Sequence, residues 1–413
     1  MKSSVRYMTA RTTVPSGSRR IFDTVEGDLI VGRNTVISGS GTRATVKVLG
    51  AVYCDGNDVF ECDLSAERLE AEGDLVVRGN LTVADDIQVE DGQMSVYGNL
   101  MVRRADVDES LHVSQDLQAD DVDVGGSLEV DGKVKIGSVD VGGSFVVRGE
   151  AEVKKVDVGG SVVLESEANI QELDVGGTAR VARGKVLEID VGGSFESKGQ
   201  LEFREIDVGG TVHLGSKSKG GSIDVGGSLR VDGDLEFEEI DVGGKVQIAG
   251  SGVGEEVDVG GTLKVGGSLK IAGSLDVGGR VEVRNEVSAK TIEVGGLLSA
   301  GKATAEQGIT VGGAITTEEG AIGRYVEIGR HGRVQGPIRA DKVVIGKNAR
   351  VESIHGKKIL LETGAEAQDV YGESIAIESH CRINGEVNYT NDLRLDSHVS
   401  LAKEPKKVES LPE

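Results

Sequence analysis

Ten aspartates recur along the middle of the chain in one setting, Asp-Val-Gly-Gly: Asp123, Asp140, Asp157, Asp174, Asp190, Asp207, Asp224, Asp241, Asp258 and Asp276. The gaps are seventeen residues, with one sixteen and one eighteen. Carboxylates at such regular spacing suggest two kinds of chemistry. If Asp140, Asp157, Asp174, Asp190 and Asp207 stack as a ladder, an oxygen-rich row is offered to a divalent cation such as calcium. Stacked about 4.8 Å apart, neighbouring carboxylates also repel by roughly 0.9 kcal/mol in water. The simpler expectation is local satisfaction, in which the adjacent Gly N–H groups and the Ser or Thr hydroxyl serve each carboxylate as in an Asx-turn. The calcium-binding Gly-Gly-x-Gly-x-Asp nonapeptide is missing, so the ladder is read as structural and no resident metal is expected.

Other reactive residues group poorly. The six histidines, His112, His213, His331, His355, His380 and His398, are spread over the chain. His331, His355 and His380 are separated by 24 and 25 residues. Neither gap is a whole number of repeats, so the three are expected on different faces or corners, which excludes a three-histidine metal site. Cys54, Cys62 and Cys381 lack zinc spacing and are too few for a disulfide framework; they read as buried thiols. Gly39-Ser40-Gly41 with Ala44 mimics a dinucleotide fingerprint, but no helical periodicity follows it, and a phosphate-binding Gly-x-x-x-x-Gly-Lys-(Ser/Thr) is absent. No catalytic residue, cofactor or nucleotide is expected, and the chain does not read as an enzyme.

The repeat itself dictates what must position these residues. Between Val139 and Val156, apolar residues fall at Val139 and Val141, Phe145 and Val147, Ala151 and Val153, and then Val156 and Val158. Each pair is an alternation that fits a short half-buried strand. Three such strands per turn describe a triangular solenoid, stabilised by the equivalent strands one turn above and below. Gly142-Gly143, Gly159-Gly160 and Gly176-Gly177 stand where the coil must bend, and the expectation is that they supply φ > 0. Stacked, they would form a stripe without side chains along which two copies could bundle. The aspartate position extends upstream to Asp106, Gln88, Glu70 and Tyr53. Downstream it continues through Glu293, Thr310, Glu327, Val344, Leu360, Ala376 and Arg394. The fold class expected is all-β, a single long parallel β-helix of about 22 turns, which at about 4.8 Å per turn would be roughly 105 Å long.

Composition agrees. Aromatics are 3% of the chain, tryptophan is absent, glycine numbers 62, and only four prolines occur, at Pro15, Pro337, Pro405 and Pro412. A narrow β-helix takes small aliphatics, and proline cannot donate to a ladder. The net charge of −23 argues against a nucleic-acid partner. No apolar run has the length of a membrane span, and no secretory h-region opens the chain; a cytoplasmic location is the expectation. Residues 1–20 carry Lys2, Arg6, Arg11, Arg19 and Arg20 and no acid. They read as a disordered basic tail able to touch an anionic membrane surface or an acidic neighbour. The organisation expected is therefore tail 1–20, irregular turns 21–120, regular repeat 121–320, a distinct C-terminal solenoid 321–400 and a second tail 401–413.

That C-terminal part carries a resemblance. Val326-Glu327-Ile328-Gly329, Arg333-Val334-Gln335-Gly336 and Ile338-Arg339-Ala340 are followed by Lys342-Val343-Val344-Ile345-Gly346, Ala349-Arg350-Val351 and Ile354-His355-Gly356. This cadence resembles the bactofilins, polymer-forming cytoskeletal β-helix proteins, over about 80 residues. The resemblance implies a right-handed β-helix that stacks end to end into filaments without nucleotide and serves as a scaffold, often near a membrane. The chain is far longer than the family's core of about six turns.

A solenoid without polar caps exposes strand edges and core at its ends. No amphipathic helix flanks this one. Ile21 and Phe22 at one end, and Leu393, Leu395, Val399 and Leu401 at the other, are the expected polymerisation contacts, which give fibres where the geometry does not close. The leading reading is a self-assembling cytoskeletal scaffold whose partner is itself. A hexapeptide-repeat acyltransferase is the enzyme alternative, but it would need a strict six-residue phase and a catalytic loop. A surface stalk or adhesin is the second alternative, and it would need export.

Overall fold

The computed structural model describes residues 10–41 and 44–411. Among them there is no helix, and every strand pairing is parallel. The chain divides into two compact units, Met1–Phe203 and Arg204–Glu413. Each is a parallel β-solenoid, and together they hold about 23 turns at roughly 17 residues per turn.

One turn of the first unit shows how the sequence is used. Ser144–Val147 forms a first face, and Ala151–Val158 bends through the second and third faces without losing its ladder. In the next turn all three faces belong to one run, Ser161–Val175. Val139, Val141, Phe145, Val147, Ala151 and Val153 are all 0–3% exposed. Full burial of a valine-sized side chain contributes about 1.5–3 kcal/mol, so each turn holds itself in place through its columns. The register makes the columns explicit: Val139 over Val156, Phe145 over Val162, Ala151 over Ala168.

The aspartate position is a continuous row on the third face of each unit. In the first unit it runs Thr13, Ile30, Tyr53, Glu70, Gln88, Asp106, Asp123, Asp140, Asp157, Asp174 and Asp190. In the second it runs Asp207, Asp224, Asp241, Asp258, Asp276, Glu293, Thr310, Glu327, Val344, Leu360, Ala376 and Arg394. Every member named from spacing within a unit falls in that register. The widest step, Ile30 to Tyr53, is 23 residues and accommodates Gly39-Ser40-Gly41, which joins strand Val36–Gly39 to strand Thr45–Val48 rather than to a helix.

The Val-Gly-Gly corners differ from expectation. None of Gly142, Gly143, Gly159, Gly160, Gly176 and Gly177 has positive φ. The first glycine of each pair continues the ladder instead: Gly142 donates to Val124 O and Gly159 to Val141 O, both at 3.0 Å. What requires glycine is close stacking. A Cβ on Gly142 would lie 2.2 Å from Gly125 O, and one on Gly160 would lie 2.3 Å from Gly143 O. Toward the chain ends the same corner is longer, and there it holds left-handed residues: Gly17, Asn34 and Asn57, and later His331, Asn348, Gly364, His380 and His398, at φ 56–75°.

A second corner carries a polar ladder that hydrophobic spacing does not reveal. Asp63 Oδ1 accepts the N–H of Asn80, Asn80 Oδ1 that of Asn99, Asn99 Oδ1 that of Asp116, and Asp116 Oδ1 that of Lys133, all at 2.7–3.0 Å. Asp234 does the same for Ser251 at 2.7 Å. The sequence signal is Gly-Asn-Leu or Gly-Asp-Leu, as at Gly79-Asn80-Leu81, Gly98-Asn99-Leu100 and Gly233-Asp234-Leu235.

Both expected tails begin or end elsewhere. Arg11–Val14 already pairs with Asp28–Val31, and Arg19–Phe22 with Val36–Gly39. Arg11-Thr-Thr-Val keeps the strand alternation: Thr12 and Val14 stack on the buried Leu29 and Val31, while Arg11 faces out. Lys2 and Arg6 lie outside the described residues. At the other end Leu401 pairs with Ile383, and Lys406–Lys407 pairs with Asn388 and Tyr389.

Candidate functional site

Three places could carry function: the third-face row, the histidine corners, and the terminal turns. In the third-face row the ten repeat aspartates alternate with buried valines and are all exposed. Among the described residues none of them accepts a hydrogen bond from the neighbouring glycines or hydroxyls, which corrects the Asx-turn expectation. The cause is the corner geometry, since the N–H of the first glycine in each pair, the one an Asx-turn would use, is bound to the turn before, as at Gly142, Gly159 and Gly176. The carboxylates therefore meet each other. Partial burial, followed by repulsion from the aspartates above and below, raises the pKa of Asp123, Asp174, Asp224 and Asp258. In the first unit Lys155 stands beside Asp157 and Asp174 and pairs with Glu172 at 2.9 Å. Among the described residues no group of three or more His, Cys, Asp or Glu is arranged to hold a metal ion.

The histidines are partly grouped. His331 and His380 occupy one left-handed corner column with Asn348, Gly364 and His398. This corrects the expectation that His331 and His380 would be separated: their spacing of 49 residues is three turns of sixteen or seventeen. His380 and His398 stack with ring centroids 5.1 Å apart. His355 lies on a different face against Tyr371, at 4.7 Å, and burial followed by Arg339 lowers its pKa. His112 and His213 are in the other unit and an earlier turn, facing Asp131 at 3.7 Å and Asp232 at 2.9 Å respectively. The three cysteines are free and buried. Burial pushes the Cys62 thiol up to about 11 and the thiols of Cys54 and Cys381 upward as well, so none is a ready nucleophile.

Grooves on the surface are shallow and built from repeated positions. One of about 470 Å³ is lined by Lys133, Lys135, Glu150 and Glu152, whose ammonium and carboxylate groups pair across it at 2.7 and 3.2 Å. Another, of about 280 Å³, lies between Lys342, Lys358, Leu360, Ala376 and Arg394 on the third face of the second unit. Neither brings a nucleophile and a base together. No family model, curated protein or solved structure gives a significant match to this chain.

The two terminal turns are chemically unlike. At the start, Arg20 stacks on the buried Ile37, so a cation stands where the next core residue would be. Ile21 stacks on Ser38 and faces outward, 66% exposed, and Phe22 stacks on Gly39, half-buried. Ile21 is therefore not part of an apolar core end, because strand parity turns it to the outer face. Asp23 is held by Ser40, and Arg19 pairs with Glu61 at 3.1 Å. At the finish, Leu393 stacks on Ile375 and Leu395 on Ile377, at core positions. Leu395 is 44% exposed, where Ile377 one turn earlier is 2% exposed. Val399, Leu401 and Pro405 are half-buried.

Proposed function

We propose that this protein is a structural, self-assembling scaffold of the cytoplasm that adds copies through its terminal turns without nucleotide. The observation that carries the reading is the last turn. Leu393, Leu395 and Leu401 continue the core columns, and among the described residues no strand pairs beyond these three. An open core cross-section bordered by unpaired strand edges is a template for another strand. The resemblance of residues 321–400 to the bactofilins supports the same reading. Three free, buried thiols suit a reducing compartment. Because Arg20 and Asp23 occupy the N-terminal turn, the C-terminal turn is the stronger contact. Two C-terminal turns would meet as an isologous pair, and threads need the N-terminal turn as well.

The test is negative-stain electron microscopy and sedimentation of the purified chain against Leu395→Glu with Leu401→Glu. The expected result, at salt high enough to screen contacts between charges, is assembly by the wild type and single particles for the variant. A wild type that stays a single particle at all concentrations, or a variant that assembles unchanged, overturns the proposal.

A further inference from the structure

The third face of the second unit is divided by charge. From Glu205 to Glu293 its outward positions hold nine carboxylates, Glu205, Asp207, Asp224, Glu239, Asp241, Glu256, Asp258, Asp276 and Glu293, and no lysine or arginine. None of them forms an ion pair among the described residues. Gly308 and Thr310 follow as a small neutral step, then Tyr325 and Glu327. Beyond them the same positions become Lys342 and Val344, Lys358 and Leu360, Ser374 and Ala376, then Asp392 and Arg394. Lys342 sits 5.1 Å from the centre of the Tyr325 ring. Neither Lys342 nor Lys358 has a carboxylate partner among the described residues. This end of the face belongs to a basic block: residues 321–360 hold nine Lys and Arg against three Asp and Glu, in a chain of net charge −23.

We infer that this face pairs with the same face of a second copy, the two running in opposite directions about a two-fold axis at Thr310. The register decides the match. Counting turns outward from Thr310, Asp276 and Lys342 are each two turns away on opposite sides, Asp258 and Lys358 three, and Asp224 and Arg394 five. A reversed copy therefore brings each cation against a carboxylate, including Arg394, which within its own chain pairs with Asp392 at 2.9 Å. Glu293 and Glu327 are the one like-charged match, a turn from the axis. Both partners have the same rise of about 4.8 Å per turn, so the charges stay in step along the whole contact. Leu360 and Ala376, half-exposed in the 280 Å³ groove, lose water at the same time. Gly308 and Thr310 leave space for close approach at the axis. The face has twelve turns between Asp207 and Arg394. At about 4.8 Å per turn and about 13 Å of strand width, it covers on the order of 700 Å² per copy, the size of a specific interface. Burial and mutual repulsion already raise Asp224 and Asp258, the condition that an opposing cation relieves. This pairing is independent of the terminal-turn contact and is tested with that contact silenced.

All variants are made with Leu395→Glu. Sedimentation at low salt is expected to give twice the chain mass, falling to the single chain as salt screens the contact. Lys342→Glu, Lys358→Glu and Arg394→Glu together are expected to abolish the pair. Asp224→Lys, Asp258→Lys and Asp276→Lys are expected to do the same. Mixing the two charge-reversed proteins is expected to restore the doubled mass, since each then opposes a face of the other sign. Thr310→Cys is expected to give a covalent dimer on oxidation, with the native thiols buried and silent. Circular dichroism confirms that each variant is folded. A Leu395→Glu protein that stays a single chain at low salt overturns the pairing. So does a mixture that fails to recombine while both proteins are folded. Binding of an acidic peptide or anionic vesicles to the Lys342–Arg394 region, without pairing of copies, also overturns it.

Discussion

At the residue scale the glycine pairs limit the fold most tightly. The repeat shows where they stand, and their position at a corner invites the reading that they relax backbone strain. Their φ angles are ordinary, and the constraint comes from the carbonyl of the turn before. Alanine at Gly159 would put its Cβ 2.6 Å from Gly142 O, and alanine at Gly160 would put it 2.3 Å from Gly143 O. The neighbour is backbone held on both sides by ladder bonds, so it cannot yield cheaply. Each substitution is expected to cost about 1–3 kcal/mol, the usual penalty of overpacking, read as a fall in the thermal midpoint. Gly308→Ala is the control. Its Cβ would lie 3.4 Å from Tyr325 Cβ, an ordinary contact, and the change is expected to stay within ~0.5 kcal/mol. Side-chain spacing carries no information about carbonyl positions one turn away, so this constraint was not legible before the structure.

At the element scale the sequence was far more informative. A period of seventeen fixed which residues stack, and even Val344, Leu360, Ala376 and Arg394, which share no chemistry with aspartate, fall in the same row. Hydrophobic alternation was sufficient because every strand is half-buried and a slip of one residue would turn the apolar set outward. The same parity governs the start of the chain. Ile21 is apolar and close to the end, yet Arg20 is the residue in line with Ile37. The polar corner ladder escaped because it shows as a change of residue type at one corner, not as an apolar period. Its worth can be measured. Asn99→Ala removes the acceptor for the Asp116 N–H at 3.0 Å and the Nδ2–H donor to Asn80 Oδ1 at 3.1 Å. The expected loss is about 0.5–1.5 kcal/mol for each hydrogen bond, seen as a lower denaturant midpoint, with Asn99→Asp, which keeps the acceptor alone, recovering the Asp116 part.

At the scale of the whole molecule, charge is distributed against stability. Stacked aspartates with raised pKa bind protons more readily in the native state than in the unfolded chain, so their penalty is fully present above the raised values. It is relieved as the pH falls through them toward the ordinary carboxylate value of 3.8. Other carboxylates act in the opposite sense: Asp232, held low by His213, and Glu282, held low by Arg280, lose their contribution as they are protonated. The ladder is therefore isolated by comparison. Asp224→Asn with Asp258→Asn is expected to melt above the wild type at pH 7, with the gap closing as the pH is lowered and narrowing when salt is added. A gap that is constant with pH would show that the carboxylates do not repel in the folded chain.

Near-identical turns also leave a mark on folding. A strand whose neighbours above and below carry the same valines and the same glycines has little local preference between pairing with the next turn and pairing with the one after. A loop of seventeen residues could be skipped, or a matching segment borrowed from another chain, with every buried contact nearly intact. Only the unrepeated parts can report the error: the wide step between Ile30 and Tyr53 and the left-handed corners at His331, Asn348 and Gly364. Those segments serve as the landmarks from which the uniform stretch is counted, and chains deprived of them should refold into a population of mismatched lengths.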